Sequence, residues 1–282
     1  MKISKGKPAR VISITSGKGG IGKTHTTVNM GLALVNSGRR VLLLDGDLGL
    51  ANINILLGFK PGKTLHQVIR GEASIEDVIV TDSSGLDIIP ASSGIPELTF
   101  LSEDERTMLI EEFENLASKY DYVLVDTAAG IGDNVLYFNS AAEQIIVVIG
   151  PEPTSITDAY ALIKVLYQRT GRRKFSVIVN RAPLGTDGRS TFRQLAQATD
   201  KFLNVQLKLI GALTEDSSVS EAVISQRPYL QLFPSSKVAL DMTKLAAKVD
   251  GDQSARGLNG GLQFFFRAIL EDTTSDGVIS RN

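Results

Sequence analysis

The chain has no cysteine among its 282 residues. That removes disulfides, thiolate zinc sites and iron–sulfur clusters as explanations for anything it does. No apolar run approaches the ~18 residues of a membrane-spanning helix, and the N-terminus, MKISKGKPAR, lacks the apolar region of a secretory signal. A cytoplasmic protein is therefore expected. A strong charge of either sign is also missing: the formal net charge is −1. Nothing in the overall electrostatics favours nucleic acid as the main ligand, and no direct nucleic-acid contact is expected. The densest basic run is Arg169, Arg172, Arg173 and Lys174. What is present is ordinary globular material, 43% hydrophobic and 22% charged. A chain of this length can bury the core of one large α/β domain.

The most informative stretch is Ser16 to Thr24, SGKGGIGKT. It lies between an apolar strand-like run, Val11 to Thr15, and a segment of helical periodicity, His25 to Val35. Gly17, Gly22, Lys23 and Thr24 satisfy the phosphate-loop pattern G-x-x-x-x-G-K-[ST], in the strand–loop–helix context that pattern requires. Gly17, Gly19 and Gly20 permit backbone conformations closed to other residues, and Gly22 permits close approach to phosphate. The amides of the loop, through Ile21 to His25, then point at an anion above a helix N-terminus. Lys23 is expected to neutralise the β- and γ-phosphates of ATP, and the Thr24 hydroxyl to hold Mg²⁺. The competing reading is a glycine-rich turn without a ligand.

Two further carboxylate positions follow strand-like runs. Val41 to Leu44 leads into DGDLGLAN, residues 45–52, and Tyr122 to Val125 leads into Asp126. Carboxyl ends of buried parallel strands are where such sheets bind ligands. Asp47 is the candidate for polarising the attacking water and for the outer shell of Mg²⁺. Asp45 is expected to orient Lys23 or the waters of the metal, and Asp126 to position Mg²⁺ through water. Otherwise Asp45 and Asp47 are turn formers. More strands are expected at Leu86 to Pro90, Gln144 to Ile149, Phe175 to Val179 and Leu209 to Leu213. Short helices are expected from Leu65 to Ile79. Ser102 and Glu105 form a capping box that opens a helix to about Tyr120. Further helices should begin near Thr157 or Asp158 and at Val219 and about Ser236.

The extra lysine, Lys18, turns the loop into K-G-G-x-G-K-[ST], which resembles the deviant Walker A motif of the MinD/ParA ATPases. The resemblance covers roughly residues 10 to 250. It implies a mostly parallel central sheet with helices on both faces, a P-loop NTPase of the SIMIBI class. It also implies an ATP-dependent homodimer in which Lys18 crosses to the partner's nucleotide and Asp47 is catalytic. In the same comparison Glu152 reaches the partner's ribose and Asn180 reads the adenine edge. No N-K-x-D guanine motif follows Asn180, which favours ATP. The cysteine-dependent relatives of this class are excluded. DGDLGLANINILLG, DTAAGIGDN and EPTSITDAYALIK are most similar to the FlhG/FleN branch, regulators of flagellar number and placement. Implied partners are an FlhF-type GTPase, a FleQ-type transcription regulator and flagellar basal-body proteins. Two departures stand out: the D-Q-A-x-x-L-R segment that activates the partner GTPase is absent, and His25 replaces the commoner Thr or Asn.

The organisation expected is a basic tail at 1–10, the ATPase domain at 11–250, a Gly-rich linker at 251–261, an amphipathic helix at 262–272 and a tail at 273–282. Leu262, Phe265, Phe266 and Ile269 recur at helical spacing, so residues 262–270 could touch the inner membrane peripherally in the ATP state, or pack on the domain or a partner. Competing functions are a MinD-like division-site ATPase, a ParA-type DNA-partitioning ATPase and, from another class, a metabolic P-loop kinase.

Overall fold

Successive residues of a strand point to opposite faces of its sheet, and in the central strands of this protein both sets are apolar. Ile12 and Ile14 enter one hydrophobic cluster and Val11 the other; Leu43 opposes Leu42 and Leu44 in the same way. Such strands need cover on both sides, which a parallel sheet wound with helices supplies. The computed structural model describes residues 9–47, 52–60, 62, 63, 67, 68, 70–90, 112, 113, 116 and 119–252. Its strands are β1 (Arg10–Ser16), β2 (Val41–Gly46), β3 (Val80–Thr81), β4 (Asp87–Ile89), β5 (Tyr122–Ala129), β6 (Gln144–Ile149), β7 (Lys174–Ala182) and β8 (Gln206–Thr214). They form one sheet in the order β3-β4-β2-β5-β1-β6-β7-β8, parallel except for the β3–β4 pair.

The helices are α1 (Lys23–Asn36), α2 (Asn52–Leu57), α3 (Asp133–Ala141), α4 (Pro153–Thr170), α5 (Arg189–Phe202), α6 (Ser217–Ile224), α7 (Tyr229–Leu232) and α8 (Lys237–Gly251). Residues of α1, α7 and α8 cover one face of the sheet; α3, α4 and α5 cover the other. The neighbouring central strands β1 and β5 thus send their following helices, α1 and α3, to opposite faces. That parting opens a crevice at the carboxyl end of the sheet, where such folds bind ligands.

The expected strands are all present, Gln144–Ile149 with the expected bounds and the others with shifted ends. β5 continues three residues past Asp126, because Thr127 and Ala129 still follow β1, Ala129 in register with Ser16. Gly38 closes α1 at φ 82°, where Arg39 N–H returns to the Leu34 carbonyl. α4 begins at Pro153, earlier than Thr157, since proline fixes φ for a first helical position and Glu152 supplies the cap position. Four helices have no counterpart in the sequence reading: α2, α3, α5 and α7. In α5 the buried residues Thr191, Leu195 and Thr199 include a single aliphatic, too little to register as an apolar stripe. Arg10, grouped by sequence with the solvated tail, is buried in β1; its guanidinium donates to the carbonyls of Val249 and Asp252 and to Gln144 Oε1. Ala9 beside it is buried as well. Residues 1–8 of that tail, most of the 102–120 helix, and residues 253–272 of the linker and amphipathic stripe lie outside the described residues.

Two members of the basic run are tied within the chain: Arg169 pairs with Asp133 at 3.0 Å, and Arg172 donates to the carbonyls of Ser140 and Ala142. Arg173 lies over the Tyr167 ring. Among the described residues no helix is long and apolar enough to cross a membrane.

Candidate nucleotide site

The loop between β1 and α1 rests on two close approaches that only glycine allows. A β-carbon at Gly17 would stand 2.1 Å from the Asp158 carbonyl oxygen of α4. One at Gly22 would stand 2.4 Å from Asn180 Nδ2. Gly22 also adopts φ 88° as the cap of α1, leaving the first amides of that helix directed into the loop. Over it lies a cavity of about 1200 Å³, lined by Gly19, Gly20, Gly22, Lys23, Thr24, His25, Asp47 and Asn180 among others. The second cavity, about 540 Å³, is at the opposite end of the sheet, around the starts of β7 and β8.

The predicted residues divide by position. Lys23 is buried and its ammonium pairs with Asp126 Oδ1 at 2.9 Å; Thr27 donates to the same oxygen at 2.8 Å. Asp126 Oδ2 is buried without a partner. Asp45, fully buried, accepts from the amides of Asp47 and Ile53 at 3.2 and 3.4 Å. Its carboxyl is pushed up to about 7 by burial and by the Asp126 charge. The side chain that meets Lys23 is therefore Asp126, while Asp45 shapes the turn that presents Asp47. Asn180 donates to the Ile21 carbonyl at 2.7 Å, which leaves its second N–H and its carbonyl oxygen for a ligand. His25 has a buried Nδ1 without a partner, and burial holds its pKa below the ordinary histidine value, against the pull of Asp126.

Lys18 and Glu152 do not line this cavity. Lys18 reaches across the surface to the Thr154 hydroxyl at 3.0 Å, on the first turn of α4. Glu152 folds back over Gly150, where a β-carbon would meet its Oε2 at 2.2 Å and Ile21 Cδ1 at 2.5 Å, and that oxygen is buried without a partner. Both belong to one ridge beside the loop. Thr214, Glu215, Asp216 and Ser217, from the end of β8 to the start of α6, also line the cavity.

Comparison with known proteins agrees with this geometry. A protein-family profile described as an AAA domain matches residues 9–176. The antiactivator FleN of Pseudomonas aeruginosa is 43% identical over 272 residues, covering 96% of this chain and 97% of that one. The flagellum site-determining protein YlxH of Helicobacter pylori is 31% identical, covering 93% and 90%. Among solved structures, the septum site-determining protein MinD of Pyrococcus horikoshii, complexed with Mg-ADP, superposes with a TM-score of 0.64 at 32% identity, over 86% of this chain and 96% of that one. The chain belongs to the MinD/ParA-type P-loop ATPases, in the FleN branch.

As an ATPase of this family it uses ATP and Mg²⁺. The residues present fit that cation. Among the described residues the buried Oδ2 of Asp126 has no partner, and the Thr24 hydroxyl and the Asp47 carboxylate would supply further oxygen donors from the cavity wall. Among the described residues no group of three or more His, Asp or Glu side chains could hold a metal ion by itself. Such a set suits Mg²⁺ that arrives with phosphate. Bound there, the ion would neutralise charge on the β- and γ-phosphates.

Three contributors escaped the sequence reading. Thr27, one helical turn beyond Lys23, steadies Asp126. Arg181 donates to the Gly20 carbonyl at 2.8 Å, and Gln226 lines the cavity from the end of α6. Arg181 and Gln226 carry no motif, because neither stands at a fixed spacing from the loop; Thr27 does, four residues past Lys23 on α1.

Proposed function

We propose that this ATPase is a slow, ATP-dependent dimerising switch that controls flagellar number and placement. The observation that carries the flagellar assignment is the near full-length identity to the antiactivator FleN. The switch itself works through residues of this chain. ATP draws the Lys23 ammonium from Asp126 toward the β- and γ-phosphates, and Asp126, relieved of its ion pair, turns to the hydrated cation. Lys18, which lies outside its own cavity, completes the triphosphate cradle of a second copy, and Glu152 on the same ridge meets that copy's ribose. A two-fold interface brings the same patch from each subunit. Asp47 orients the attacking water. Loss of γ-phosphate then removes the contact that favours the dimer.

In this reading the protein is cytoplasmic, with residues 262–270 giving peripheral contact to the inner membrane in the ATP state. Its partners are an FlhF-type GTPase, a FleQ-type transcription regulator or basal-body proteins. The test is flagellar counts in cells carrying Asp47→Ala, together with sedimentation of the purified chain in ATP and in ADP. The proposal expects an ATP-only dimer and altered flagellar number. A monomer in both nucleotides, or unchanged flagellation with altered division, would overturn it.

A further inference from the structure

Asp126 carries its side-chain hydrogen bonds on one oxygen only. Oδ1 accepts from the Lys23 ammonium at 2.9 Å and from the Thr27 hydroxyl at 2.8 Å. Oδ2 is buried and has no partner among the described residues. The two oxygens of a carboxylate are chemically equivalent, so the donors that hold Oδ1 decide which oxygen faces the cavity.

The two donors differ in how firmly they are placed. The Lys23 ammonium ends a flexible four-carbon stem and is the group that phosphate attracts. Thr27 is fully buried in the second turn of α1, and its β-branched side chain is restricted at χ1. Lys23 can swing away from Asp126; Thr27 stays.

The hydroxyl also has a choice of acceptor. The Lys23 carbonyl lies 3.0 Å from Thr27 Oγ1, and a carbonyl four residues back is the ordinary acceptor for such a side chain inside a helix. Thr26 and Asn29 on the same helix donate in that way, to Gly22 and His25. A hydroxyl has one proton to give. The carboxylate is both the nearer acceptor and the charged one, which makes it the stronger partner. A threonine able to bond within its own helix thus spends its proton on the neighbouring strand β5.

We propose that Thr27 is a positioning residue for the cation: by holding Oδ1 once Lys23 has turned to the phosphates, it stops the Asp126 carboxylate from rotating and leaves Oδ2 presented to hydrated Mg²⁺. This rests on Asp126 serving the cation. Thr27→Val keeps the shape and branching of the side chain and removes the proton. Thr27→Ser loses a methyl and keeps the proton. Titration calorimetry of the full chain with ATP, once in Mg²⁺ and once in EDTA, gives the factor by which the cation tightens binding. Expected is a factor at least about tenfold smaller for Thr27→Val, the loss of one hydrogen bond to a charged group, and one within about threefold of wild type for Thr27→Ser. A wild-type factor in Thr27→Val, whether both affinities are kept or both fall together, would overturn the proposal. So would a serine variant as impaired as the valine one. Should Thr27→Val fail to fold, Thr27→Cys, whose S–H is a weak donor, must lower the factor alone. An unaltered chain whose ATP affinity ignores Mg²⁺ would instead strike at Asp126 as the partner of the cation, and this inference would fall with it.

Discussion

Lys18→Ala separates what one subunit does from what two do together. Within a single chain Lys18 gives an exposed hydrogen bond to Thr154 at 3.0 Å and does not line the cavity. Removing that contact should cost the monomer no more than about 0.5–1 kcal/mol, and ATP should still bind to the isolated subunit. In the proposed dimer each lysine would make a charge-assisted contact with the other subunit's phosphates, worth about 1.5–3 kcal/mol. Symmetry counts that contact twice, so the dimer should lose about 3–6 kcal/mol, a weakening on the order of 10²–10⁴ in its dissociation constant. Analytical ultracentrifugation across a concentration series with a non-hydrolysable ATP analogue and Mg²⁺ measures the dimer. Titration calorimetry on dilute protein measures the nucleotide. A dimer constant within about threefold of wild type would refute the cross-subunit role. Loss of ATP binding by the dilute monomer would refute the claim that Lys18 serves the neighbour.

Other consequences are open to measurement. Asp47→Ala should bind ATP and dimerise while single-turnover hydrolysis falls at least about a hundredfold, and undiminished hydrolysis would remove Asp47 from the chemistry. Gly17→Ala places a β-carbon 2.1 Å from the Asp158 carbonyl, a rigid backbone atom, so the loop or α4 must shift. Urea unfolding should show a loss of about 1–3 kcal/mol together with weakened ATP binding, and an unmoved midpoint would contradict the packing described. Asp241 accepts from the Thr214 amide and hydroxyl and from Lys237; burial alone would raise its pKa, but these bonds outweigh it and hold the carboxyl below its ordinary value. A lowered folded-state pKa stabilises above the unfolded value and the benefit is lost as pH falls through the folded one. Asp241→Asn should therefore cost about 1–3 kcal/mol at pH 7, and the gap to wild type should narrow as the pH falls below the ordinary Asp value of about 3.9. A gap independent of pH would assign the effect to packing instead.

The sequence by itself determined the architecture and the phosphate end of the site. Buried parallel strands need apolar residues at nearly every position, so VLLL at 41–44 and IIVVI at 145–149 announce themselves, and the phosphate loop is a continuous run whose function fixes its spacing. Asp47 and Asp126 were legible as candidates because each follows an apolar run, Asp47 just past the end of β2 and Asp126 within β5. Tertiary structure decided the partnerships. That Lys23 meets Asp126 and not Asp45, and that Arg10 joins the sheet instead of solvent, depends on which strands are neighbours, and strand order is not written in any one strand. Thr27 meets Asp126 one helical turn past Lys23, and Arg181 and Gln226 line the cavity at positive φ, a backbone conformation that leaves no mark in residue spacing when the usual glycine is absent.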